Sequence, residues 1–401
     1  MTEKTVYLDN NATTMVDPKV YDVMKPYFCE LYGNPSSTHE FGGQVAHAIE
    51  KAREQVKDLL GASDVKEIIF TGSGSESANM AIRGILEANK NKKHIITTQI
   101  EHPCVLNVYK YYEKHGYDVT YVKVDNQGHL DLKELIDAVN EDTALVSVMM
   151  ANNETGVLLP VAKVAELVKQ KNPKTKIFVD AVQAAGKVPI DVKNTQIDMM
   201  GIAGHKIHAP KGVGALYVRK GTLLPALIIG GHQERGKRAG TENVTSIVGL
   251  GKAAEIAMES MDYELQEVKR LRDKLENGIL NSIYNARVNG SIYDRVPNTT
   301  NIGFEYIEGE LILLHMSDLG ICASSGSACT SGSLEPSHVL KAMGVPFTGL
   351  HGSIRFSLSR FTTEEEIDYV LKVLPEIIFK LNKISPYQRE LADLEKKHKK
   401  N

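Results

Sequence analysis

The sequence contains no tryptophan and only four cysteines in 401 residues. Four cysteines are too few for a secreted disulfide scaffold. No uncharged apolar run approaches the ~18–20 residues that a membrane-spanning helix needs. The first residues also lack the apolar stretch and small-residue cleavage site of a signal peptide. These absences predict a protein of the reducing cytoplasm that is not embedded in a membrane.

The sequence also has no large excess of one charge: it contains 47 Lys and Arg and 50 Asp and Glu, which gives a net charge of −3. This balance argues against a nucleic-acid coat or a basic membrane-surface protein, so we expect no nucleic-acid or membrane partner. The length suffices for a large core without disulfides or metals, arranged as two or three domains or as one large α/β unit.

Short apolar runs alternate with amphipathic ones through the middle of the chain. This alternation predicts βαβ crossovers, hence a mostly parallel sheet with helices on both faces and active groups beyond the carboxyl ends of its strands. The predicted strands span 66–70, 94–98, 119–124, 144–150, 176–180, 199–203 and 214–218, and the predicted helices span 76–88, 105–115, 132–139 and 161–171.

A long helical stretch over 247–279 marks a change of organisation. We predict a large domain at 16–259 and a smaller one that combines residues 1–15 with 260–401. The basic tail from 386 onwards reads as a solvated helix.

Two segments suggest a bound phosphate and a reactive amine. The small residues Thr-Gly-Ser-Gly-Ser at 71–75 lie between a predicted strand and a predicted helix, where backbone N–H groups can hold an oxyanion; an ordinary N-capped turn is the alternative. Lys206, in the Gly/Pro-rich loop 204–214, is a candidate Schiff-base lysine, although both it and Lys211 could be surface residues. A metal at His205 and His208 lacks an evident third ligand.

Several other polar residues are isolated in apolar surroundings or in loops. Asp180 ends a predicted strand and could hold a pyridine nitrogen protonated, or simply cap a helix. Arg355 lies in an apolar strand and needs an anionic partner, either a protein or a substrate carboxylate. Cys329 lies among small polar residues typical of an accessible thiol, unlike Cys322 beside Ile321.

Five motifs together resemble one family. They are Tyr-Leu-Asp-Asn-Asn-Ala-Thr-Thr at 7–14, Gly-Asn-Pro-Ser-Ser at 33–37, the segments 205–214 and 324–336, and Gly-His-Gln-Glu-Arg-Gly at 231–236. The chain resembles the NifS/IscS cysteine desulfurases, the NifS type most closely, over residues 6–385. The resemblance implies an α/β fold-type-I enzyme dependent on pyridoxal 5'-phosphate. It also implies the conversion of L-cysteine to L-alanine, with the sulfur supplied to iron–sulfur cluster assembly.

The resemblance also implies roles for single residues. Lys206 would carry the cofactor, Asp180 would pair with its ring nitrogen, Gln183 would contact its ring hydroxyl oxygen, and His102 would stack on the ring and act in acid–base steps. The implied phosphate ligands are Gly74, Ser75, His205 and, from the neighbouring subunit of a homodimer, Thr241. Ala203 departs from the pattern, since many members have a phosphate-contacting serine there.

On the substrate side, Asn153 and Arg355 would hold the substrate carboxylate, with Asn153 also near the cofactor. Cys329 would be the nucleophile that becomes a persulfide. No metal is expected in the resting enzyme, with Cys329 as a transient iron–sulfur ligand, and the expected partner is a sulfur acceptor or iron–sulfur scaffold protein. The tail after Ser385 does not resemble the scaffold-docking tail of the IscS type.

Other functions stay open at this point. A selenocysteine lyase or a related pyridoxal-phosphate aminotransferase would share most of these residues, although an aminotransferase does not need Cys329. A catalytically idle sulfur-acceptor protein is disfavoured because every catalytic position carries a competent residue. A nucleotide-binding enzyme is disfavoured because the glycine pattern at 71–75 is incomplete.

Overall fold

The computed structural model describes residues 5–325 and 336–398. Its strands are β1 Val6–Tyr7, β2 Ile68–Thr71, β3 His94–Thr98, β4 Asp118–Val122, β5 Thr143–Met149, β6 Lys176–Asp180, β7 Met199–Ala203, β8 Gly214–Val218, β9 Ala286–Val288, β10 Thr299–Phe304, β11 Ile321–Cys322 and β12 Ser353–Ser357. Its α-helices are α1 Pro18–Met24, α2 Pro26–Cys29, α3 Glu40–Leu60, α4 Gly74–Ala88, α5 Pro103–Glu113, α6 Leu132–Ala138, α7 Val161–Lys171, α8 Val244–Glu259, α9 Met261–Tyr263, α10 Lys269–Ser282, α11 Gly309–Asp318, α12 His338–Ala342, α13 Phe347–Leu350, α14 Glu364–Ile384 and α15 Gln388–His398.

A seven-stranded sheet in the order β2-β8-β7-β6-β5-β3-β4 forms the centre of the molecule. The strands from β4 to β7 pair in parallel, while β8 runs antiparallel to both β7 and β2. All seven residues of β5 are buried, as expected for a strand covered by helices on both faces. The prediction of an α/β protein with a mostly parallel sheet is confirmed.

The sheet's topology decides where its polar residues meet. Because β2 and β7 are both antiparallel to β8, β2 runs in the same direction as the parallel strands. The carboxyl ends of β2, β3, β5, β6 and β7 therefore lie along one edge. The ends of these strands and the segments that follow them carry Gly74, His102, Asn153, Asp180 and Lys206.

The predicted long helical stretch over 247–279 is helical except at Ser260, where it is interrupted. At the end of α8 the Ser260 hydroxyl donates to the carbonyl of Ile256, in addition to the ordinary helical hydrogen bond from the Ser260 N–H. The following residues form the short α9, a π-helical turn at Glu264–Val268 and then α10. A side-chain oxygen that bonds back to the preceding turn competes with helix propagation and explains the break.

A three-stranded antiparallel sheet, β12-β10-β9, accompanies a separate apolar core. Val6 and Leu8 belong to this core together with side chains of α10, α11 and α14. β1 pairs with β11, so the first described residues are held by the last third of the chain. The proposed domain boundary at 259 stays a prediction. Among the described residues, no helix is both long and apolar enough to span a membrane.

Candidate active site

Lys206 lies at the sheet edge defined above, in a single 3-10 turn at Gly204–Lys206 directly after β7. Its side chain is half-buried, whereas that of Lys211 is exposed. The Lys206 Nζ donates to the carbonyl of Ala12 at 2.8 Å and also to that of Asn11. The N-terminal segment thus holds the lysine amine at the edge of the sheet.

Asp180 is the last residue of β6 and is buried. Its Oδ1 accepts a hydrogen bond from the backbone N–H of Val182 at 2.9 Å. Burial raises the pKa of Asp180 to about 6, against the opposing influence of that hydrogen bond and of the Lys206 ammonium. A buried carboxylate with a cation nearby suits the stabilisation of a protonated ring nitrogen.

His102 occupies the N-cap of α5, where its Nδ1 accepts from the backbone N–H of Cys104 at 3.2 Å. Burial, and then the charges of Lys206 and His338, lower the pKa of His102 to about 4. The imidazole is therefore neutral at pH 7. A neutral ring can stack on an aromatic cofactor and can accept a proton.

Gly74 starts α4, and the Ser73 hydroxyl caps this helix by accepting from the N–H of Glu76 at 3.1 Å. A Cβ at Gly74 would lie 2.8 Å from Cγ2 of Val182 and 3.3 Å from Cβ of Ala203. This close cradle at the N-terminus of a helix fits a phosphate group. Ser75 beside it is exposed.

His205 directly precedes Lys206 in the same 3-10 turn. Its Nδ1 is 3.1 Å from the hydroxyl oxygen of Thr13. Burial and the neighbouring lysines 206 and 211 lower its pKa to about 4. His208 bonds instead to the carbonyl of Met15 at 3.0 Å. Within residues 5–325 and 336–398, no cluster of His, Cys, Asp and Glu could hold a metal ion.

Arg355 lies buried in the middle of β12 and has a protein carboxylate as partner. Its Nη2 lies 2.7 Å from Oδ1 of Asp9, and its Nη1 donates to the backbone carbonyl of Asn153 at 2.9 Å. The Arg355 Nε and the Asn153 side-chain oxygen are buried without a hydrogen-bond partner among the described residues. Unsatisfied groups of this kind in a protein interior suit a polar ligand.

Thr241 does not join this cluster, because it is exposed in the loop before α8. The predicted nucleophile Cys329 lies outside the described residues. Gln183 is buried, and its Nε2 donates to the carbonyl of Asn11 at 3.0 Å. Lys187 bonds to both Gln183 and Asn11. The sequence analysis singled out neither Asn11 nor Lys187, although the two adjacent asparagines of the 7–14 motif could have pointed to Asn11.

The chain matches the family model for class-V aminotransferases over residues 6–370. It is 58% identical over 388 residues to a cysteine desulfurase from Nostoc sp., with 96% of each chain covered. It is 55% identical over 382 residues to the cysteine desulfurase NifS of Azotobacter vinelandii, covering 95% of this chain and 94% of that protein.

A solved structure of a NifS-like protein has the same fold. It superposes with a TM-score of 0.89 at 43% sequence identity, covering 94% of this chain and 100% of the other. The predicted fold type and family are therefore confirmed. The chain belongs to the pyridoxal-phosphate-dependent class-V aminotransferase family, among its cysteine desulfurases of the NifS type.

Proposed function

We propose that this chain removes sulfur from L-cysteine, giving L-alanine and a persulfide on Cys329. One observation carries the proposal: the amine of Lys206 lies near both the buried carboxylate of Asp180 and the neutral imidazole of His102. An amine, an anion and a neutral aromatic ring at the carboxyl edge of a parallel sheet suit a phosphorylated pyridine aldehyde.

Different residues of the site would bind different parts of the cofactor. The start of α4 at Gly74 and Ser75, with His205 and with Thr241 of a second subunit, would receive the phosphate. Asp180 would face the ring nitrogen, Gln183 the ring hydroxyl oxygen, and His102 the ring face. When bound, pyridoxal phosphate supplies an electron sink for the α-carbon of an amino acid.

The protein groups then handle the substrate and its protons. Arg355 and Asn153 would orient the substrate carboxylate, which only accepts hydrogen bonds; the Arg355 Nε, without a partner among the described residues, is a donor that can face it. Lys206, once its amine is released by the incoming substrate amine, would move the α-proton. His102 is neutral at working pH, so it could accept a proton during the same sequence.

The sulfur step needs no outside oxidant. The thiolate of Cys329 forms a bond to the substrate sulfur while the bond between that sulfur and the β-carbon breaks. The electron pair of the broken bond stays with the carbon, which takes up a proton. One cysteine and one enzyme thiol thus give one alanine and one enzyme persulfide.

This chemistry also indicates the surroundings in which the enzyme works. Cys329 must be a reduced thiol at the start of each turnover, which favours a cytoplasmic location. The persulfide has to pass its outer sulfur to a thiol of an acceptor or iron–sulfur scaffold protein. The exposed position of Thr241 supports a homodimer in which this residue completes the partner's phosphate site.

The test is incubation of the purified protein with pyridoxal phosphate and L-cysteine, with alanine, sulfide and protein-bound persulfide measured together. We expect alanine without any added keto acid, which an aminotransferase would require. Cys329→Ala should retain the yellow cofactor and lose the persulfide, while Cys29→Ala, at an exposed cysteine, should behave as the unaltered protein. Full activity of Cys329→Ala would refute the proposal.

Lys206→Ala provides an independent check of the cofactor site. Borohydride should fix the cofactor covalently to the unaltered protein but not to this variant. A covalent adduct that persists in Lys206→Ala would assign the cofactor to another lysine.

A further inference from the structure

A second lysine, Lys187, is buried directly behind the site. Only 5% of its surface is exposed, and it lies in the turn that follows β6. Its Nζ donates to Oε1 of Gln183 at 2.9 Å and to Oδ1 of Asn11 at 3.1 Å. The mechanism above assigns nothing to this residue.

Burying an ammonium group costs desolvation free energy. Burial, and then the charge of Lys206, lower the pKa of Lys187 to about 7; the Glu264 carboxylate opposes this effect, and Arg355 adds to it. Glu264 is itself buried in the π-helical turn, with its Oε2 unpartnered among the described residues. An apolar side chain of similar length would avoid the desolvation cost. Packing alone therefore does not explain a lysine at this position.

The contacts of Lys187 fix the orientation of an amide in the site. The Lys187 Nζ donates to Gln183, so the group of Gln183 that faces it is the oxygen. The amide nitrogen of Gln183 then points to the opposite side, where one N–H bonds to the carbonyl of Asn11. The second N–H is left for a ligand. The same Asn11 carbonyl accepts from Lys206. Both residues that accept hydrogen bonds from Lys187, Gln183 and Asn11, are therefore in contact with the surroundings of the reactive amine.

We propose that Lys187 is a positioning residue: it holds the Gln183 amide with its N–H, rather than its oxygen, towards the ring oxygen of the bound cofactor. The inference rests on the proposed cofactor site. Without Lys187 only the hydrogen bond to the Asn11 carbonyl orients the amide. A half-turn of the amide then becomes easier, and it would place the amide oxygen, rather than the N–H, against the cofactor's ring hydroxyl oxygen.

The test is a double-mutant cycle on cofactor binding, read as the dissociation constant of pyridoxal phosphate in equilibrium dialysis. Lys187→Met should weaken binding about tenfold, the cost of one buried hydrogen bond to the ligand. In the background of Gln183→Leu the same substitution should change the dissociation constant less than twofold, because no amide remains to be oriented. An equal loss in both backgrounds would overturn the inference, since a merely structural role does not depend on residue 183.

Control variants separate the remaining outcomes. Lys169→Met removes another largely buried lysine, paired with Asp198 at 2.7 Å, and should leave cofactor affinity unchanged. If Lys187→Met does not fold, the cycle is run with Lys187→Gln, whose amide can still donate; its smaller loss should again vanish in Gln183→Leu. If the unaltered protein binds no pyridoxal phosphate, the proposed function fails. If it binds and the cycle is additive, only the role of Lys187 fails.

Discussion

A buried ion pair links the strand before the phosphate cradle to the 231–236 motif, and its removal gives the sharpest test of the fold. Glu234 receives two hydrogen bonds from the Arg53 guanidinium, at 2.7 and 2.9 Å, and a third from the N–H of Phe70 at 3.0 Å. Both charged side chains are almost fully buried, at 4% and 3% exposure. Phe70 belongs to β2, which ends three residues before Gly74.

The expected cost follows from what each substitution leaves behind. In Glu234→Gln the amide oxygen can accept from Arg53 Nη1 and from the N–H of Phe70, but the N–H₂ then confronts Arg53 Nη2. The guanidinium keeps only the exposed carboxylate of Glu50, at 3.1 Å, as counter-charge. Breaking one partner of a buried pair costs about 3–5 kcal/mol of the free energy of unfolding. Arg53→Met strands the carboxylate instead and should cost a similar amount. In the double variant no buried charge remains, so its cost should fall short of the sum by at least about 2 kcal/mol.

The assay is urea unfolding of the cofactor-free protein at pH 7, followed by far-ultraviolet circular dichroism. Lys133→Met breaks the exposed pair with Asp137 at 2.6 Å and should leave the urea midpoint in place. Single losses that add within about 0.5 kcal/mol in the double variant would show that the two residues do not act as a pair. That result would refute the reasoning.

Three further outcomes are expected. Gly74→Ala should weaken pyridoxal phosphate at least about tenfold, because the new methyl lies 2.8 Å from a neighbouring side chain, while Gly43→Ala, with no atom within 4 Å, should bind normally. Ala203→Ser should tighten cofactor binding about fivefold, if its hydroxyl adds one hydrogen bond to the phosphate; unchanged affinity in dialysis would contradict this. His102 and His208, with pKa values of about 4 and about 3, bind protons more readily when unfolded, so their contribution to stability is complete above pH 6.5 and declines as the pH falls towards 4. The urea midpoint of His208→Asn and of the unaltered protein is measured between pH 7 and 4. It should fall less steeply with falling pH in the variant.

Much of the central sheet could be predicted without coordinates. The strands at 94–98, 176–180, 199–203 and 214–218 have the predicted bounds. Strands buried on both faces are short apolar runs between polar residues, so their limits are visible in the sequence. Because parallel strands place their carboxyl ends together, the same pattern indicated which loops would meet at the edge of the sheet.

The break at Ser260 and the helix α3 were not predicted. Helix α3 packs mainly on α8, a neighbour almost two hundred residues further along the chain. The helical periodicity of 247–279 continues through Ser260, whereas the break depends on a hydrogen bond from its side chain to the preceding turn. Local propensity does not determine which of two such bonding patterns a folded chain adopts.

The sequence by itself determined the type of sheet, the edge that carries the chemistry and, through its motifs, the family. Only the tertiary structure decided the partners of each reactive group. Arg355 pairs with Asp9, and Lys206 bonds to the carbonyls of residues 11 and 12, contacts that join positions hundreds of residues apart. Such pairings depend on which side chains the folded chain buries together, and burial makes an unpaired charge or amide costly. For the same reason the role of Lys187 became visible only when its two acceptors could be seen.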